Sequence, residues 1–130
     1  MTKFAKKITA ALIAAAVSIS SMSILALADE NPKERPFGVG TATLSVSGTK
    51  GTGTTTLNRS GGSVYVFTYG KYLPTNSDTT KDTGYGASGS TVASAAVVRP
   101  TSSYWVYVEG TYEGYYDNSY GSTSLKITLS

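Results

Sequence analysis

From residue 39 onward, apolar and polar residues mostly alternate in steps of two. In TATLSVSGT (41–49), Ala42, Leu44 and Val46 alternate with Thr and Ser, as in a strand with one buried face. GTGTTTLNR (51–59) is a weaker strand built on threonine and closed by an NRSGG turn. SVYVFTYGKYL, from Ser63, is strongly alternating and ends at Pro74 and the TNSD cluster. TTKDTGYG (79–86) reads as a short return strand. STVASAAVV (90–98) is another, stopped by Arg99-Pro100. SYWVYVEGTYEG (103–114) is the longest. YYDNSYG then turns the chain into STSLKITLS, where Leu125, Ile127 and Leu129 alternate with Thr and Lys.

Six to seven strands with no helical periodicity among them predict an all-β fold, a small antiparallel β-sandwich. Its expected core is Leu44, Val64, Val66, Val106, Val108, Leu125 and Ile127. Contiguous hairpins and a Greek key are both open at this level.

The first 28 residues have a different character. Lys3, Lys6 and Lys7 precede an apolar run, Ile8 to Leu27, and Ala26-Leu27-Ala28 forms a small-x-small cleavage site. Together they predict a signal peptide over 1–28, cut before Asp29. Residues 29–38 (DENPKERPFG) read as a flexible polar leader, and 39–130 as the β-sandwich domain. The expected product is secreted, with no transmembrane segment after cleavage.

That division changes the charge argument. The precursor has a formal charge of +3, but three lysines lie in the signal, leaving eight basic and eight acidic residues and a net charge of zero. The basicity that would suggest nucleic acid belongs to the export segment, so no nucleic-acid partner is expected.

The chain has no histidine and no cysteine. Ser-His-Asp and Cys-His catalysis, disulfides and the usual zinc, copper and haem ligand sets are therefore closed to it. No cofactor and no metal are expected. Glu109 and Glu113 are a candidate carboxylate pair, but four residues of extended strand separate them by ~13 Å, wider than glycosidases use, unless Gly110 marks a bulge. Asn and Asp at 76–78, Asp82 and 117–118 could offer oxygen to calcium, yet without the spacing of a calcium loop; they read as turn residues. The chain is read as non-enzymatic.

What remains is aromatic. Six of the ten tyrosines and the single tryptophan fall between Ser103 and Tyr120. Alternation places Tyr104, Val106 and Val108 on one face and Trp105, Tyr107 and Glu109 on the other. It likewise sets Val64 and Val66 opposite Tyr65, Phe67 and Tyr69. One reading makes the rings structural filling, as cross-strand pairs or under a Tyr-rich loop at 115–120. The other makes Trp105, Tyr107, Tyr65, Tyr69 and Glu109 an exposed binding face for a cell-wall glycan or a surface protein.

The ALA-DE processing site, strands such as ATLSVSG and the Tyr/Trp-rich second half resemble the small secreted Gly/Ser/Thr-rich β-proteins of Gram-positive bacteria. These include the lactococcin 972-like bacteriocins, compact β-sandwiches acting at the cell envelope. The resemblance implies a bacteriocin-like antimicrobial factor as the alternative function. It carries over no site residue.

Overall fold

The structure is a computed structural model and describes residues 30–129; the expected signal peptide and its cleavage site lie outside the described residues. The chain forms eight strands: β1 (Lys33–Pro36), β2 (Gly40–Ser47), β3 (Lys50–Leu57), β4 (Ser63–Pro74), β5 (Lys81–Gly89), β6 (Val92–Val98), β7 (Ser103–Tyr116) and β8 (Ser119–Thr128). They make two four-stranded antiparallel sheets, ordered β1-β2-β3-β6 and β5-β4-β7-β8. Hairpins join β1-β2-β3, β4-β5 and β7-β8. The chain changes sheets from β3 to β4, from β5 to β6 and from β6 to β7. As a result β3 lies beside β6 in one sheet and β4 beside β7 in the other. A simple meander is thereby excluded.

The alternation of β2, β4 and β8 does what it promises. Leu44, Val64, Val66, Val108, Leu125 and Ile127 are buried between the sheets, with Val39, Ala42, Leu57, Ala93, Ala95 and Val97. β3 contributes little bulk. Its inward Gly51 leaves room for the Val108 methyls, and Gly53 for Val66, Thr68 and Tyr112. Three inward hydroxyls are bonded across the two layers. Thr55 Oγ1 donates to the Tyr65 carbonyl (3.1 Å) and Thr68 Oγ1 to the Ala95 carbonyl (2.9 Å). The Tyr112 hydroxyl donates to the Thr43 carbonyl (3.0 Å). A hydroxyl left unbonded there would cost ~1–3 kcal/mol.

Three features differ from the sequence reading. Part of the expected leader is β1, paired with β2 from Lys33↔Leu44 to Pro36↔Thr41. Its side chains also reach the other sheet: Lys33 Nζ donates to the Lys126 carbonyl (2.6 Å) and Arg35 to the Ser124 carbonyl (2.9 Å). The expected Tyr-rich loop is strand almost throughout. Tyr115↔Tyr120 and Tyr116↔Ser119 are ladder pairs, leaving Asp117-Asn118 as a two-residue turn with φ of 53° and 63°. Both residues are left-handed, as a type I′ hairpin requires.

The third difference is at Trp105 and Val106. Lys71 pairs with Tyr107, but the next residue, Tyr72, pairs with Trp105. Val106 is therefore the extra residue of a β-bulge, and the facing of β7 reverses across it. Trp105, expected outside, is in the core at 4% exposure, while Tyr104, expected inside, is 63% exposed. Val106, expected in the core, is only half-buried.

Candidate functional site

The outer face of the β5-β4-β7-β8 sheet follows from its registers as rows across the four strands. From one end they run Asp82–Lys71–Tyr107–Thr128, Gly84–Tyr69–Glu109–Lys126, Gly86–Phe67–Thr111–Ser124 and Ser88–Tyr65–Glu113–Ser122. The structure thus brings together four of the five expected site residues: Tyr65, Tyr69, Tyr107 and Glu109. The fifth, Trp105, lies on the opposite side of the sheet.

Tyr65, Phe67 and Tyr69 form a column on β4, spaced at the ~6.8 Å of same-face residues on one strand. Beside them β5 offers glycine. A Cβ on Gly84 would stand 2.7 Å from Phe67 Cζ, and one on Gly86 2.5 Å from the Tyr65 hydroxyl. The rings of β4 therefore lie across bare β5 backbone instead of standing upright between side chains. Tyr65 and Phe67 remain 38% exposed.

The Tyr69 end of the column carries a polar network. Tyr69 donates its hydroxyl proton to Asp82 Oδ1 (2.7 Å), and Lys71 Nζ pairs with the same oxygen at 2.9 Å. The Asp82 carboxyl is held below its usual range, first by the Tyr69 hydrogen bond and then by the Lys71 bond. The Tyr69 phenol is pushed up to about 12, chiefly by the same bond to Asp82. The Tyr107 ring lies 5.9 Å from that of Tyr69, tilted by 45°. Lys126 Nζ stands over the Tyr107 ring at 4.1 Å, a cation–π contact. Phe67, Asp82, Lys71 and Lys126 complete a face that the expected site named only in part. Phe67 was legible from alternation on its own strand. Asp82 and Lys126 were not, since their place depends on which strands are neighbours.

Glu109 and Glu113 face outward on an unbroken stretch of register, Glu109↔Tyr69 to Glu113↔Tyr65. Gly110 marks no bulge, and the carboxylates keep their strand spacing of ~13 Å, beyond the 5–9.5 Å of glycosidase pairs. Among the described residues no cluster of three or more acidic side chains is placed to hold a metal ion. No described helix is long and apolar enough to cross a membrane.

Trp105 is fixed inside by several contacts. Its indole N–H donates to the Gly48 carbonyl (3.2 Å), Tyr72 meets it edge-on at 6.2 Å, and its ring covers Gly70. One edge of it borders a depression of about 400 Å³ at the end of the sandwich, with Arg99, Tyr104, Asn31, Val46, Gly48 and Leu129. The Arg99 guanidinium there holds the chain itself. Its Nη1 donates to the Ser103 (2.6 Å) and Pro100 (3.1 Å) carbonyls, so it clamps the β6–β7 connection, while its Nε is buried without a hydrogen-bond partner among the described residues.

No protein-family model matches the chain, and no curated protein or solved structure matches it; the tyrosine face of the β5-β4-β7-β8 sheet is what its geometry offers for function.

Proposed function

We propose that the protein is a secreted, non-catalytic binding module that recognises a cell-surface glycan through the outer face of the β5-β4-β7-β8 sheet. One observation carries the reading: Tyr65, Phe67, Tyr69 and Tyr107 are contiguous on that face, ringed by Asp82, Lys71, Glu109 and Lys126. Apolar rings flanked by hydrogen-bonding groups suit sugars, whose C–H faces stack on aromatics and whose hydroxyls need polar partners. The column repeats at ~6.8 Å along β4, so its rings together offer an extended apolar strip rather than a single stacking position. A mature net charge of zero argues for stacking and hydrogen bonds over electrostatic capture, so binding should change little with salt.

The test is co-sedimentation of the purified chain with isolated Gram-positive cell wall, followed by calorimetry on soluble wall fragments. Tyr107→Ala and Tyr69→Ala should each weaken binding ~5- to 30-fold, the effect of losing 1–2 kcal/mol from a recognition residue. The thermal midpoint should move little. Unchanged wall binding in the Tyr69→Ala/Tyr107→Ala double variant would rule the face out as the site.

A further inference from the structure

The four sheet edges are not equally protected. β1 has four residues and ends at Pro36. β8 is covered by β1, since Lys33 and Arg35 donate to its Lys126 and Ser124 carbonyls. β5 carries Lys81, Asp82 and three glycines, Gly84, Gly86 and Gly89, only weakly sheet-forming. β6 has neither charge nor proline: its sequence is VASAAVV.

The register shows which groups β6 leaves free. Arg99 N donates to the Thr49 carbonyl (2.9 Å) and Leu57 N to the Thr91 carbonyl (2.8 Å), so odd-numbered residues of this strand bond to β3. By alternation, Val92, Ser94, Ala96 and Val98 turn their amides and carbonyls away from β3. Among the described residues, none of these groups has another backbone partner. The same four side chains face outward on the sheet, where Val92 is 52% and Val98 58% exposed.

We infer that β6 pairs with β6 of a second copy of this chain, antiparallel, about a two-fold axis at Ala95. This register is self-complementary. Ser94 meets Ala96 of the second copy, and Val92 meets Val98, so residues that turn their backbone outward oppose each other. The two Ser94–Ala96 narrow pairs alone supply about four hydrogen bonds, at two per pair. The Val92 carbonyl is crowded by Gly89 of the β5–β6 corner and contributes least. The exposed valines close over each other as cross-strand pairs. Beneath them lies Tyr85, 58% exposed on β5. It is registered opposite Thr68, whose hydroxyl bonds the Ala95 carbonyl. The tyrosine is thus level with the axis, where it meets its own symmetry mate. The two-fold runs perpendicular to the joined sheet, so both tyrosine faces point the same way. A pair of copies would then engage one repeating surface bivalently, with avidity above either single contact.

Sedimentation equilibrium of the purified chain, as the expressing cell processes it, should show monomer and dimer in concentration-dependent exchange. Hydrogen exchange of the Ser94, Ala96 and Val98 amides should slow as concentration rises. Ala96→Pro removes a donor that β3 does not use, and edge strands accept proline at such positions. It should weaken dimerisation ~tenfold or more while the circular dichroism spectrum is kept. Should it fail to fold, Ser94→Lys with Ala96→Lys sets like charges opposite each other in the same register and should have the same effect. A chain that stays monomeric to millimolar concentration overturns the inference. So does a dimer indifferent to these variants, or one whose β6 amides gain no protection.

Discussion

At the scale of single residues, Val106 decides more than its size suggests. As the extra residue of the bulge it sends Trp105 inward, so the two neighbours should respond oppositely to substitution. Trp105→Ala is expected to cost ~3–5 kcal/mol, the range for removing a buried large ring. The free protein's tryptophan emission should be blue-shifted and protected from quenchers. Val106→Asp should be tolerated far better than Val108→Asp, which puts an unpaired charge at a position with no exposure; urea unfolding of the two variants compares them directly. The Tyr69–Asp82–Lys71 cluster has a definite pH window. Asp82, lowered by Tyr69 and then Lys71, contributes above the ordinary carboxylate pKa, and that contribution is lost as pH falls through its depressed value. Tyr69, raised to about 12 by Asp82, and Lys71, raised chiefly by the same carboxylate, contribute below their ordinary values and are lost as pH rises through the raised ones. The cluster should hold from about pH 4 to about pH 10. Burial also raises the Tyr112 phenol, so Tyr69 and Tyr112 should ionise late in a spectroscopic titration. Asp82→Asn should bring only one of them earlier; if neither moves, the cluster does not form in solution.

At the scale of elements, the legible strands were those with a strict two-residue period and β-branched or aromatic residues: β2, β4, β6, β7 and β8. β1 escaped because KERP has no apolar residue to mark a buried face. Its strand exists through pairing with β2 and through two basic side chains that reach β8. β5, read only as a short return strand, extends to Gly89, and its glycines have a partner in the rings of β4. Turn chemistry was partly legible. DN marked the β7–β8 reversal, but that it occupies only Asp117 and Asn118 depends on the ladder continuing to Tyr116↔Ser119. Both turn residues are left-handed, so Asp117→Val should lower stability by ~1–2 kcal/mol, the cost of that conformation for a side chain unsuited to it. Asn118→Gly should leave stability unchanged or slightly higher, and thermal unfolding of the pair measures the contrast. Gly70→Ala should destabilise by ~1–3 kcal/mol, because the new methyl meets the rigid Trp105 ring and has nowhere to go.

For the molecule as a whole, the proposed binding role rests on what the two sheets leave outside. The β1-β2-β3-β6 face is mostly threonine and serine, whereas the β5-β4-β7-β8 face gathers the rings. Removing rings from that face should separate binding from stability, in contrast to Trp105. Six of the seven core residues expected from alternation are buried, since burying one side of a strand requires a period of two whatever the topology. The same logic placed Tyr65, Tyr69, Tyr107 and Glu109 on one side of their strands. Periodicity and composition were enough for the all-β class, most of the strands and most of the core, and the lack of histidine and cysteine closes whole chemistries. That β4 and β7 are neighbours, that Asp82 and Lys126 join their rings and that Trp105 is filling came from the packing of the sheets. Strand order is set by contacts between residues far apart in the chain. A bulge, in turn, is a mismatch in length between two paired strands, and neither strand carries it alone.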